Sequence, residues 1–61
     1  MSKESKELGR RARRFLRNSQ RDAKDAKELF EEIGDNEGAR RAKKASDAAK
    51  EAADYVDKRL G

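Results

Sequence analysis

The sequence predicts an all-α protein, an antiparallel helical hairpin that dimerises into a four-helix bundle. Three observations lead to this fold. The 61 residues include no proline and consist mainly of strong helix formers. The stretch Gly34-Asp35-Asn36 interrupts the helical pattern near the middle of the chain. On both sides of it, small and apolar residues recur at alternating spacings of three and four, which is the heptad spacing of coiled coils.

Length and composition limit both the architecture and the chemistry. The chain, residues 1–61, has room for a single domain, and a domain this short buries only a small core. Cysteine and histidine are both absent, which excludes disulfides and removes the commonest general base and metal ligand. Because no catalytic constellation is present, we expect no enzyme activity, no metal, no cofactor and no small-molecule substrate. With no membrane-spanning stretch and no signal peptide, the expected location is the cytoplasm.

The first helix is predicted over residues 3–33. Ser2 or Ser5 can cap its start, and Gly34 follows at a position where helices commonly end on a residue that tolerates the left-handed conformation. The seam of a helix is defined here as the stripe predicted to face the other helix of the hairpin. In the first helix the seam comprises Gly9, Ala12, Leu16, Ser19, Ala23, Ala26, Phe30 and Ile33.

The second helix is predicted over residues 38–60, after a turn at residues 34–37. Asp35 or Asn36 can cap it. Its seam comprises Ala42, Ala45, Ala49, Ala52 and Val56. Since most of these side chains are small, we expect the two helix axes to approach closely.

The apolar surface of the first helix is wider than one partner helix can cover. Leu8, Phe15 and Leu29 lie just beside its seam, so a lone hairpin would leave them exposed. This width predicts a homodimer of hairpins. The predicted self-association core comprises Leu8, Ala12, Phe15, Leu16, Leu29, Phe30, Ile33 and Val56.

The distribution of charge favours an antiparallel arrangement of the helices. Residues 10–21 contain six arginines and no acid, whereas residues 22–37 are mostly acidic. The second helix is basic at its start and acidic later. Folding back therefore places each basic half beside an acidic half, and this pattern selects orientation although each exposed pair contributes only about 0.2–1 kcal/mol.

A three-helix bundle is the alternative architecture. Asn18-Ser19-Gln20 could break the first helix, with Ser19 capping a new helix and Asp22 as the acid three residues later. The heptad spacing continues through Ser19 without a slip, which favours the two-helix arrangement.

One surface invites a functional interpretation, and we call it the basic ridge. On a helix of 100° per residue, one face of the first helix carries Lys3, Lys6, Arg10, Arg13, Arg14, Arg17, Arg21 and Lys24. The ridge extends about 31 Å at 1.5 Å per residue. Guanidinium groups bind phosphate oxygens bidentately, so the candidate nucleic-acid-binding residues are Arg10, Arg13, Arg14, Arg17, Arg21 and Lys24. The alternative is a solvated helix face, which is the common role of such charges.

Two segments resemble known families. The segment Leu29-Phe30-Glu31-Glu32-Ile33-Gly34-Asp35-Asn36-Glu37-Gly38-Ala39 resembles the turn of a tetratricopeptide hairpin, with Gly-Asp at the turn and an alanine five residues after the glycine. This resemblance implies a module that binds other proteins. Arg14-Phe15-Leu16-Arg17 resembles the Arg-Phe-Ile-Arg stretch of Rop-type helical-hairpin dimers, and Ala45, Ala49, Glu51, Arg59 and Gly61 lie at comparable places. That resemblance implies binding of paired RNA loops by the first helices.

The simplicity of the sequence supports a further interpretation. Near-regular heptads, patterned charge blocks and the absence of Cys, His, Pro and Trp are typical of designed or idealised helical bundles. The leading functional prediction is therefore a non-enzymatic structural scaffold of de novo type that self-associates as a coiled-coil-like bundle. RNA binding through the basic ridge and a tetratricopeptide-like interaction module are the alternatives.

Overall fold

The computed structural model describes residues 2–61 and contains two helices in this part of the chain. The first, α1, spans Lys3–Glu32, and the second, α2, spans Asn36–Leu60. They pack side by side as an antiparallel hairpin that measures 47 × 13 × 11 Å. The all-α hairpin predicted from the sequence is therefore confirmed, and α2 begins two residues before its predicted start.

Helix α1 continues without interruption through Asn18 and Ser19. The alternative with a break at this point, which would have given three helices, is wrong. Neither residue blocks helical backbone geometry, since the cost of Asn or Ser inside a helix is only a fraction of a kcal/mol, roughly 0.5–0.7 kcal/mol relative to alanine. Packing of α1 against α2 on both sides of this point, from Gly9 to Phe30, outweighs a preference of that size.

The start of α1 is capped by Ser2. Its backbone is extended, and its side-chain oxygen accepts a hydrogen bond from the backbone N–H of Ser5 at 3.1 Å. This bond satisfies one of the N–H groups that have no partner inside the helix. Of the two serines that could cap the helix, Ser2 is the one that does so.

The turn between the helices has the hydrogen bonds of a Schellman motif. Gly34 has a φ of 75°, and its N–H donates to the carbonyl of Glu31 at 3.1 Å. The next N–H, that of Asp35, donates to the carbonyl of Phe30 at 2.9 Å. These two bonds satisfy carbonyls at the end of α1 and reverse the chain within a few residues.

Asp35 also starts the second helix. Its carboxylate accepts a hydrogen bond from the backbone N–H of Gly38 at 2.9 Å, which caps α2. Beyond this cap, the ring of Phe30 lies over Gly38 so closely that a Cβ atom there would be 2.5 Å from the ring. The absence of a side chain at Gly38 therefore lets Phe30 close the turn end of the hairpin.

Replacing Gly34 with alanine is expected to destabilise the hairpin by about 1 kcal/mol, because an L-residue with a side chain rarely adopts a φ of 75°. Thermal unfolding followed by circular dichroism measures this loss. The matched control is Gly34→Asn, which we expect to lose less, since asparagine tolerates the left-handed region better than alanine. Equal midpoints for the two variants would contradict this account of the turn.

The two helices meet along a shallow interface to which α2 contributes mainly alanine side chains. The buried residues among residues 2–61 are Ala39, Ala42 and Ala53, all on α2. On α1, the residues turned towards α2 are Gly9, Arg13, Leu16, Gln20, Ala23, Lys27 and Phe30, most of them half-buried. This interface buries little apolar area, so it stabilises the isolated hairpin only modestly.

The predicted seam is therefore only partly correct. Gly9, Leu16, Ala23 and Phe30 do lie at the hairpin interface, but Ala12, Ser19 and Ile33 on α1 and Ala45 on α2 are exposed. The apolar surface of α1 is wide enough to contain two adjacent heptad stripes. Because both stripes have the same period, spacing alone could not determine which of them faces α2.

Candidate self-association face and basic ridge

A second stripe of apolar residues remains uncovered in the hairpin. Its five large members, Leu8, Phe15, Leu29, Ile33 and Tyr55, are 55% to 75% exposed. Smaller residues continue the same heptad spacing between them. We call the whole set the apolar face: Leu8, Ala12, Phe15, Ala26, Leu29 and Ile33 from α1, and Ala45, Ala48, Ala52 and Tyr55 from α2.

Both helices contribute to the same side of the hairpin. On each helix, the apolar face lies one residue before the positions that face the other helix, which is a rotation of about 100°. Because the two helices run antiparallel, a shift of one residue in the same direction along each sequence turns both stripes towards the same side of the hairpin. Near the turn, this side opens into a groove of about 290 Å³ lined by Ala26, Leu29, Phe30, Glu32 and Ile33.

The predicted self-association residues fall into two groups. Leu8, Ala12, Phe15, Leu29 and Ile33 are exposed on the apolar face. The others, Leu16, Phe30 and Val56, are half-buried and belong to the interface between α1 and α2. The hairpin thus uses three of the predicted residues for its own packing and leaves five exposed.

Tyr55 was missed as a member of this face. It is 62% exposed and continues the stripe that begins at Ala45. The signal was present in the sequence, because Ala45, Ala48, Ala52 and Tyr55 also alternate spacings of three and four. The predicted seam of α2 instead follows a second series with the same spacing, which ends at Val56.

The opposite side of the hairpin is polar and carries ion pairs between the helices. Arg13 donates to Asp57 at 3.0 Å. Arg17 donates to Asp54 at 3.1 Å and to Asp57 at 2.9 Å. All four side chains are only partly exposed, between 39% and 44%, and the network joins the basic half of α1 to the acidic half of α2.

These contacts shift the pKa values of the groups involved. Hydrogen bonds from Arg13 and then Arg17 lower the pKa of Asp57, and those from Lys50 and then Arg17 lower the pKa of Asp54. The same bonds, from Asp54 first and Asp57 second, raise the pKa of Arg17. At the start of α2, hydrogen bonds from Arg40 and Arg41 lower the pKa of Glu37.

Acidification is expected to destabilise the hairpin through these carboxylates. Their pKa values are lower in the folded chain, so their stabilising contribution is present above the ordinary carboxyl pKa and is lost as the pH falls below about 4. Thermal midpoints measured between pH 7 and 2 at low salt should therefore fall. In the Asp54→Asn/Asp57→Asn variant the fall should be smaller, and an unchanged pH profile in that variant would contradict a role for this network.

The structure divides the basic ridge into engaged and unengaged residues. Arg13 and Arg17 are held by carboxylates of α2, and Arg21 donates to Asn18 at 3.1 Å. Arg10 and Arg14 form no side-chain hydrogen bond or ion pair with residues 2–61, and Lys24 likewise has none there. An open depression of about 550 Å³ is lined by Glu7, Arg10, Arg11, Arg13 and Arg14.

The ridge and the apolar face point in different directions. The centre of the ridge lies about 140° around α1 from the centre of the apolar face, at 100° per residue. A partner that covered the apolar face would therefore leave Arg10 and Arg14 accessible.

No protein-family model matches the chain, and no curated protein or solved structure matches it. Within residues 2–61, neither helix combines the length and the apolar character needed to cross a membrane. The described part of the chain also contains no group of three or more acidic, His or Cys side chains placed to hold a metal ion.

Proposed function

We propose that this protein is a non-enzymatic structural module that self-associates, with each hairpin forming half of a four-helix bundle. The observation that carries this proposal is the contrast between the two apolar surfaces of the hairpin. The interface within the chain buries three alanines, whereas the apolar face exposes five large side chains on one side. Exposed apolar groups gathered on one side are typical of a binding surface, and scattered ones are not.

The energetics favour a partner on this face. Fully burying one Leu, Ile or Phe side chain stabilises a structure by roughly 1.5–3 kcal/mol. A symmetric dimer buries each residue of the face twice. Because a chain of 61 residues has little other apolar surface to bury, covering this face is the largest stabilising contribution available to it.

Sedimentation equilibrium over a range from low to high micromolar concentration tests the proposal. We expect the mass of two chains at the upper end and a thermal midpoint that rises with concentration, as mass action requires. A single-chain mass at every concentration, with a constant midpoint, would refute self-association.

Nucleic-acid binding by the basic ridge is a second candidate function. The specific observation in its favour is that Arg10 and Arg14 have no carboxylate partner within residues 2–61 and lie away from the apolar face. In this role the two guanidinium groups would contact phosphates of a structured RNA, with Arg21 and Lys24 further along the same helix.

This candidate predicts a salt-dependent affinity for RNA. In gel shifts with a stem-loop RNA, Arg10→Gln/Arg14→Gln should weaken binding by at least about tenfold at 50 mM salt, and the effect should shrink as salt is raised. The matched control is Lys44→Gln/Lys58→Gln, which removes the same charge from exposed positions of α2. Equal losses for the two pairs, or no dependence on salt, would exclude a role for the ridge.

A further inference from the structure

We infer that the partner on the apolar face is a second copy of this chain, placed so that α1 lies antiparallel to the partner's α1 and α2 antiparallel to the partner's α2. The two-fold axis then crosses α1 between Gln20 and Arg21. This arrangement rests on the proposed self-association and specifies how the two copies meet. Four features carry it: the symmetry of the stripe on α1, the symmetry of the stripe on α2, the common height of the two centres, and the charge beside the α1 stripe.

The stripe on α1 is complementary to itself when reversed. Positions equally distant from the point between Gln20 and Arg21 face each other across the axis. This places Ala12 opposite the partner's Leu29 and Phe15 opposite the partner's Ala26, so in these two pairs a large side chain meets a small one. Such alternation fills an interface without voids or overpacking.

The ends and the centre of the α1 stripe follow the same symmetry. Leu8 lies opposite the partner's Ile33, which covers the two most distant exposed residues of the stripe. At the centre, Ser19 lies opposite the partner's Asp22, and its hydroxyl can donate to that carboxylate. A central polar layer of this kind can set the register of paired helices at some cost in affinity.

The stripe on α2 is symmetric about Ala48 to within one residue. Reversal there places Arg41 opposite the partner's Tyr55, and it places Ala45 within one residue, about 1.5 Å along the helix, of the position opposite the partner's Ala52. Arg41 and Tyr55 are both largely exposed in the hairpin, and a guanidinium group above a tyrosine ring is attracted by its π-electrons.

The two centres of symmetry lie at almost the same height in the hairpin. The Ser46 hydroxyl donates to the backbone carbonyl of Gln20 at 3.2 Å, so these residues are level with each other. Gln20 adjoins the centre of the α1 stripe, and Ser46 is two residues, about 3 Å, from Ala48. A single two-fold axis can therefore satisfy both stripes together.

Charge on the outer flank of the α1 stripe agrees with the same placement. Arg11 would lie beside the partner's Glu32. These two exposed groups form no ion pair or side-chain hydrogen bond with residues 2–61 of their own chain. The arrangement therefore supplies each of them with an opposite charge, which favours this orientation of the partner.

A two-fold axis parallel to the helices is the competing arrangement. It would stack α1 on the partner's α2. Leu29 would then lie near the partner's Gly38, and Ile33 would lie over the partner's turn. Both residues would stay largely uncovered, although they are 63% and 75% exposed in the hairpin. The axis across the helices covers both.

Distances between spin labels distinguish the two arrangements. The chain has no cysteine, so Lys6→Cys, Arg10→Cys and Lys24→Cys each provide one label on an exposed position outside the apolar face. In the inferred dimer, the axial distance between the two labels grows by about 3 Å per residue from the axis. We therefore expect about 44, 32 and 11 Å along the helices at the three sites, before the width of the bundle is included.

The outcomes separate the arrangement from self-association itself. A dimer by sedimentation with nearly equal distances at all three sites would overturn the inferred arrangement and leave the proposed function standing. A monomer at every concentration would overturn both. Distances that fall steadily from Lys6 to Lys24 would support the inference.

A charge exchange provides a second, independent test. Arg11→Glu should weaken dimerisation by about tenfold, since it places two like-charged pairs in the dimer. The double variant Arg11→Glu/Glu32→Arg should restore affinity to within about threefold. These residues lie about 31 Å apart on one helix, so they can compensate each other only through the partner. Failure of the second substitution to restore affinity would overturn the placement of Arg11 beside the partner's Glu32.

Discussion

Replacing Phe15 with glutamine is expected to weaken dimerisation by about 30- to 1,000-fold. The ring is 66% exposed in the hairpin, and a dimer with two-fold symmetry buries two copies of it. At about 1.5–3 kcal/mol for a fully buried Phe, covering the exposed part of both rings is worth roughly 2–4 kcal/mol, and each 1.4 kcal/mol changes the dissociation constant tenfold. Sedimentation equilibrium of the variant and the parent chain measures the difference.

The control for this substitution is Arg10→Gln. It introduces the same side chain at an exposed position of α1 that lies away from the apolar face and forms no hydrogen bond or ion pair with residues 2–61. We expect its dimer dissociation constant to stay within about threefold of the parent value, as is usual for surface substitutions. If both variants dimerised equally well, Phe15 would not belong to the contact between the two copies.

Replacing Asp22 with leucine is expected to strengthen the dimer by about 100-fold or more. Asp22 is the one charged residue in the α1 stripe between Leu8 and Ile33, and it is exposed in the hairpin. In the dimer, two Asp22 carboxylates approach each other near the axis and lose part of their hydration, which is unfavourable. Leucine removes this cost and adds two apolar side chains to the buried surface.

The matched control is Glu28→Leu, which makes the same change of charge on the outer surface of α1. Comparing concentration-dependent thermal midpoints separates the two positions, because only a residue at the contact shifts the dimer equilibrium. We expect a higher midpoint for Asp22→Leu than for Glu28→Leu at every concentration. A lower or equal midpoint for Asp22→Leu would mean that the stripe centre is not buried by a partner.

The turn and the helix caps could be predicted because they depend on local chemistry. Gly34 supplies the left-handed conformation and Asp35 the capping carboxylate, and each acts within four residues of its own position. The sequence left a choice between Ser2 and Ser5 and between Asp35 and Asn36, since each alternative has suitable chemistry. In the structure, Ser2 caps α1 and Asp35 caps α2.

The side of α1 that faces α2 could not be predicted in the same way. Leu16 and Phe30 on one stripe and Phe15 and Leu29 on the next are equally apolar, so neither period nor hydrophobicity ranks the stripes. The deciding contacts are between helices, such as the ring of Phe30 over Gly38 and the pairing of Arg17 with Asp54 and Asp57. They depend on the register that the turn imposes.

The same register explains why the basic ridge was only partly predicted. Helical geometry places eight basic side chains on one face, and it does so from sequence alone. Which of them form ion pairs with α2 depends on the residues that lie opposite them on that helix. Arg13 and Arg17 lie beside Asp54 and Asp57 of α2. Arg10, seven residues before Arg17, and Arg14 form no ion pair with α2.

The packing of Leu60 beside Gly9 has a consequence for anything joined to this protein. It places the beginning of α1 and the end of α2 together at the end of the hairpin opposite the turn. In the inferred dimer, the two copies, each about 47 Å long, point these open ends in opposite directions. The assembly is therefore bipolar, and domains attached to the two copies would be held apart by its length.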